Sequence, residues 1–158
     1  MKRLVRIILV LALSLGVLAG CKSYDGPALS GQELSEATEQ ISFSILKVEE
    51  TDREDVRCYT VLLENSGKYS LENVSLALVY QVLIPEKQVE HSGGELYPKE
   101  NPFSMEAGEK KEFAIEAAVY DPDSLTGEQC LIKVQGYVAN EQPKNQFMKS
   151  ELIRVEEK

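Results

Sequence analysis

The sequence predicts an all-β protein, an antiparallel β-sandwich of about seven strands, preceded by an export leader and a flexible tether. Three observations carry this. From Ile41 onward, short apolar runs of alternating parity are separated by turn residues at intervals of about 8 to 20 residues. No helical period is sustained over that stretch. The one long continuous apolar run lies at the start of the chain, directly behind a cluster of positive charge.

That first segment, residues 1–20, has the three parts of an export signal: Lys2, Arg3 and Arg6, then the apolar residues 7–17, then small residues. From Ile7 to Gly20 there are 14 residues. Crossing about 30 Å of hydrocarbon at 1.5 Å per residue takes roughly 20, so a permanent span is disfavoured. The segment Leu18-Ala19-Gly20-Cys21 resembles the bacterial lipobox. The resemblance implies that the Cys21 thiol receives a diacylglyceryl group and that the chain is cut between Gly20 and Cys21. Two acyl chains hold a protein on a bilayer without a basic patch.

Of the 17 basic residues three lie in the leader, which leaves 14 against 26 acidic residues, so the mature chain of 138 residues carries a charge near −12. A polyanion of this kind repels phosphate backbones and anionic head groups, which argues against nucleic-acid partners and against electrostatic membrane contact. At 43% hydrophobic residues the chain still has enough apolar content for one real core.

Residues 21–40 are expected to be the lipidated cysteine and a tether. Gly26, Pro27, Ser30, Gly31 and Ser35 interrupt the segment, and Leu34 and Ala37 are too few to hold a helix against anything. Residues 41–158 then form the domain. Ile41, Phe43 and Ile45 alternate, and Leu46 and Val48 continue on the other parity, which predicts a bulge in an edge strand. Tyr59, Val61 and Leu63 mark a second strand, ended by the expected reversal Asn65-Ser66-Gly67-Lys68. Val74, Leu76, Leu78, Tyr80, Val82 and Ile84 share one face of a third strand. Its other face, with Ala77, Val79 and Leu83, is only partly polar, so this strand is expected to be central.

Pro85 closes that run, and Ser92-Gly93-Gly94 suggests the turn of a small edge hairpin carrying His91 and Tyr97. Ala107-Gly108-Glu109-Lys110 turns into a strand with Phe113, Ile115, Ala117 and Val119 inward and Glu112 and Glu116 outward. Cys130, Ile132, Val134 and Val138 form the next strand. A last one runs over residues 147–155, after a loop at 140–145.

Such a series of strands matches an immunoglobulin-like sandwich. The segments Val61-Leu62-Leu63-Glu64-Asn65-Ser66-Gly67, Val74-Ser75-Leu76 and Met105-Glu106-Ala107-Gly108-Glu109 resemble those of bacterial extracellular Ig-like modules, such as the cell-adhesion-related domain of bacteria. The likeness spans about residues 41–157 and implies architecture, not a ligand. The chain departs from antibody-type domains in having no Trp, and in placing Glu128 rather than Tyr two residues before Cys130.

Cys58 and Cys130 stand where Ig-type sandwiches can join their two sheets. A bridge across that 72-residue separation would contribute roughly 4 kcal/mol by loop entropy. Parity opposes it: Cys58 alternates with Tyr59, Val61 and Leu63 and so points away from them. A disulfide and two unpaired thiols both remain open at this stage.

His91 is the sole histidine, so a multi-imidazole metal site cannot be built, and a hydrolytic triad would depend on this one residue in a polar turn with no nucleophile motif nearby. Calcium has weak candidates in two acidic loops, one with Asp121, Asp123 and Glu128, the other with Glu49, Glu50, Asp52, Glu54 and Asp55. Neither set has EF-hand spacing. Asn73-Val74-Ser75 fits a glycosylation acceptor, which a bacterial lipoprotein address makes incidental.

The expected function is that of a lipid-anchored, non-enzymatic module on the extracytoplasmic face of the cell membrane. It would need no cofactor and would bind or assist another envelope component. The alternative is a receptor for a small ligand or calcium.

Overall fold

The computed structural model describes residues 26–53, 56–84, 89–118 and 125–154. Among the described residues one α-helix precedes eight strands: α1 (Gly31–Glu39), β1 (Ile41–Glu50), β2 (Val56–Asn65), β3 (Leu71–Ile84), β4 (Val89–Leu96), β5 (Phe103–Met105), β6 (Lys110–Ala118), β7 (Leu125–Val138) and β8 (Gln146–Arg154). They form two antiparallel sheets. One has the order β1-β2-β6; the other has the order β4-β3-β7-β8, with β5 beside the first half of β3. All pairings are antiparallel, and the order is that of an immunoglobulin-like sandwich carrying an extra edge strand on its larger sheet.

The alternations foreseen in the sequence supply the core. Tyr59, Val61 and Leu63 from β2, and Phe113, Ile115 and Ala117 from β6, face Val74, Leu76 and Leu78 from β3 and Cys130, Ile132, Val134 and Val138 from β7, all buried. The edge strand β1 shifts register between Ile45 and Lys47, the bulge its change of parity required. β3 is an inner strand, and Ala77 and Val79 on its second face are buried as well. Val119 lies outside the described residues.

Four expectations are corrected. First, the motif around Asn65 is not a hairpin turn. β2 and β3 belong to different sheets, so residues 66–70 carry the chain across the sandwich. Asn65 is itself buried: its Nδ2 donates to the carbonyls of Tyr69 (2.8 Å) and Glu106 (3.0 Å), and its Oδ1 accepts from the Gly67 N–H (3.2 Å). Second, Ser92-Gly93-Gly94 is not a turn but an irregularity inside β4. The pairing with β3 shifts between Val79 and Gln81, and Gly94 takes the positive φ of +98° that a glycine tolerates.

Third, Glu128 belongs to β7 rather than to a loop, because that strand starts at Leu125. Fourth, the tether is shorter than residues 21–40. Ser30 caps α1 through a complete capping box with Glu33, Ala37 is buried in the core, and Leu29 and Leu34 pack against it. Two apolar positions suffice because the helix does not stand alone. It lies beside β1, β7 and β8, at the side where β1 and β8 are the edges of their sheets. There the Lys149 ammonium donates to the Ile41 carbonyl, a further bridge from β8 to β1.

The opposite side is closed by β5 and β6. Phe103 and Phe113 stack with centroids 4.4 Å apart, and the Lys111 ammonium donates to the Ser104 carbonyl at 2.9 Å. Gly136 on β7 faces the register shift of β3 between Glu72 and Ser75. A Cβ there would come within 3.0 Å of the Glu72 carbonyl oxygen and the Val74 Cα.

Candidate functional site

The strand registers sort the loops to two ends. At one end lie α1, the crossing at residues 66–70, the turn at 106–109 and the loop at 139–145. At the other lies the turn from Glu50 to Val56, together with the far ends of β3, β4, β6 and β7.

The first end is held by a polar clamp that the sequence did not disclose. Asn145, fully buried, accepts from the Leu29 N–H through Oδ1 (2.8 Å) and donates through Nδ2 to Asn140 Oδ1 (2.8 Å) and to the Pro27 carbonyl (3.4 Å). Asn140 Nδ2 also donates to the Pro27 carbonyl (3.1 Å), and Gln142 Nε2 donates to the Gly26 carbonyl (3.1 Å). Residues 26–29 are thereby pinned to the β7–β8 connection. Three amides separated by one or two residues beside Pro143 were the available signal. Amides of this kind are common in solvated loops, so only their partners reveal the role.

Next to the clamp, α1 and the 66–69 segment border an open cleft of about 470 Å³, lined by Glu33, Glu36, Glu39, Gln40, Ser66, Lys68 and Tyr69. Glu33 is held below the usual carboxylate range, first by the Ser30 backbone N–H and then by the Ser30 hydroxyl. The Lys68 ammonium sits 5.0 Å from the centre of the Tyr69 ring. Such a cleft suits a cationic or hydrogen-bonding group on a partner. Its carboxylates are exposed to solvent.

The outer face of the larger sheet differs in character. Val79, Leu131 and Leu152 follow one another across β3, β7 and β8, and Met148 lies opposite Gln135. Met148 is 65% exposed and Leu152 47%. Beside them Glu95 accepts from the Tyr97 hydroxyl and pairs with Lys133 at 2.9 Å. The Tyr97 bond first, and Lys133 second, hold the Glu95 carboxyl low.

Of the two alternatives open for Cys58 and Cys130, the structure shows the unpaired one: both are free thiols. The reason is the parity of β2. Cys58 is half-buried on the outer face, paired in register with Glu49 and Glu116, whereas Cys130 points into the core from the other sheet. The group that meets Cys130 is Tyr59: burial pushes the Cys130 thiol up to about 11 and the Tyr59 hydroxyl up to about 12, with a hydrogen bond between them. Both stay neutral at physiological pH, and a neutral buried thiol is a poor nucleophile.

Cys21, Glu54, Asp55, Asp121 and Asp123 lie outside the described residues, as do the side chains of His91 and Glu128. His91 is placed by its backbone in β4 opposite Val82, not in a turn. Among the described residues no three His, Cys, Asp or Glu side chains are grouped to hold a metal ion, and no helix is long and apolar enough to cross a membrane.

No family model and no curated protein matches the chain. Solved structures do. AvmM, which catalyses macrocyclization in alchivemycin A biosynthesis, is 11% identical with a TM-score of 0.42, over 75% of this chain and 90% of that one. A β-glucosidase from Kluyveromyces marxianus is 17% identical with a TM-score of 0.37 over 74% of this chain. A β-glucosidase from intestinal bacteria involved in saponin metabolism is 13% identical with a TM-score of 0.32 over 72% of this chain. The chain corresponds to only 14% and 16% of the two glucosidases. Likeness at this level carries nothing about activity.

Proposed function

We propose that the protein is a lipoprotein held by diacylglyceryl-Cys21 on the extracytoplasmic face of the cell membrane, where its sandwich serves as a non-enzymatic binding or accessory module for another envelope component. The observation that carries this reading is the join between leader and domain. The lipobox-like Leu18-Ala19-Gly20-Cys21 closes a leader too short to span a bilayer, and a clamped, cored domain begins at Gly26. The charge near −12 leaves attachment to the lipid.

The outer face of the larger sheet supports a protein partner. Met148, Leu152 and Tyr97 are three of the four exposed large apolar side chains among the described residues, and all three lie on that sheet or at its edge. Apolar and aromatic groups beside a charged pair are the composition of an interface centre and rim.

The test is in-cell crosslinking and capture of the full-length protein in three forms: parent, Cys21→Ser and Met148→Asp/Leu152→Asp. The reading expects the parent to fractionate with membranes and retain one stoichiometric envelope protein. Cys21→Ser should leave the membrane, and the double variant should stay on the membrane but lose the partner. Membrane retention by Cys21→Ser would refute the anchor; the absence of any partner on the parent would refute the accessory role.

A further inference from the structure

We infer that the clamp on residues 26–29 makes the α1 end of the sandwich its membrane-facing end and points the turn between β1 and β2 away from the bilayer. The inference rests on the proposed lipidation of Cys21 and adds an orientation to it.

The argument is one of reach. Only residues 22–25 separate Cys21 from the clamped Gly26. At 3.3 to 3.6 Å per residue the five steps from Cys21 to Gly26 span at most about 18 Å. The point where the chain leaves the domain is not free to move over its surface. Asn140, Gln142 and Asn145 hold the Gly26 and Pro27 carbonyls and the Leu29 N–H against the β7–β8 connection, and Asn145 does so while fully buried.

That connection lies at the same end as the crossing at 66–70 and the turn at 106–109. The β1–β2 turn is a full strand length away, and nine steps along β2 amount to about 30 Å. A lipid attached within about 18 Å of one end of a body about 30 Å long cannot bring the other end equally close without laying the domain flat.

Without the clamp the free chain would run from Cys21 to the helix cap Ser30. Its reach would rise to about 32 Å, and the orientation would be lost.

The experiment places a fluorescent donor at either end of the lipidated protein, through Lys144→Cys or Asp52→Cys in a Cys58→Ser background, on vesicles of phosphatidylethanolamine and phosphatidylglycerol carrying an acceptor lipid. Both positions are exposed, and Cys130 is buried. Transfer from position 144 should exceed transfer from position 52, by an apparent distance gap of up to about 30 Å for an upright domain. A 12-residue Gly-Ser insertion between Asp25 and Gly26, which leaves the clamp intact, should shrink the gap. The pair Asn140→Ala/Gln142→Ala should shrink it as well.

Equal transfer from the two positions, or greater transfer from position 52, overturns the orientation in a protein that still depends on Cys21 for binding vesicles. A gap that survives the insertion overturns the tether as its cause. Vesicle binding indifferent to Cys21→Ser overturns instead the lipoprotein reading beneath it.

Discussion

Asn65→Ala should be among the most damaging single substitutions outside the apolar core. The side chain is 1% exposed and makes three hydrogen bonds, to the carbonyls of Tyr69 and Glu106 and from the N–H of Gly67. It ties the crossing between the sheets to the turn that leads into β6. An intramolecular hydrogen bond contributes about 1 kcal/mol net, and a buried group left without its partner costs about 1 to 3 kcal/mol. Three bonds lost at once, with a small cavity, give about 3 kcal/mol, or a fall in Tm on the order of 10 °C for a domain of this size.

Asn65→Asp separates this account from a simple loss of volume. The carboxylate keeps the bond from Gly67 but faces two carbonyl oxygens with no proton to give them. At neutral pH it should be at least as destabilising as Ala. Burial and those carbonyls raise its folded pKa above the ordinary carboxylate value, so the penalty is present at pH 7 and is relieved as pH falls through that raised value. Urea unfolding of the leaderless Cys21→Ser chain at pH 7.5 and pH 4.5, each variant measured against its parent at the same pH, is the assay. An Ala penalty under about 1 kcal/mol, or an Asp penalty independent of pH, would refute the reasoning.

Three further outcomes follow from the same geometry. In the folded leaderless Cys21→Ser chain one thiol, Cys58, should react rapidly with a disulfide reagent and Cys130 only on unfolding; no reactive thiol, or two fast ones, contradicts the assignment. Because the folded values of Cys130 (about 11) and Tyr59 (about 12) lie above their unfolded ones, their contribution is complete below pH 8.5 and is lost as pH rises to 11 and beyond. Cys130→Ala should therefore flatten the alkaline limb of the stability curve, measured as urea midpoints from pH 7 to 11. Gly136→Ala should cost about 2 kcal/mol in the same assay, since its Cβ would meet backbone rather than a movable side chain; a cost within 0.5 kcal/mol of zero would mean that the β3 bulge yields.

Much of the domain was legible because alternation records which side chains a sheet must bury. The inward sets of β2, β6 and β7, the central place of β3 and the bulge in β1 all follow from parity alone. Parity also argued correctly that Cys58 points away from the core. Glycine-rich punctuation was less informative: Ser92-Gly93-Gly94 looks like a turn in isolation, but β3 pairs with residues on both sides of it and draws it into a strand.

The sequence by itself determined the export leader pattern, the acidic balance and the β periodicity, because each is a property of neighbours along the chain. Tertiary structure decided the rest. Helix α1 forms where isolated propensity is too small because β1, β7 and β8 supply the surface on which Ala37 is buried and Leu34 packs. Asn65 and Asn145 become structural centres because each meets backbone groups from remote segments, 41 residues away for Glu106 and 116 for Leu29. A hydrogen bond over such separations is fixed by the fold that closes the loop, and no local pattern of residue types announces it.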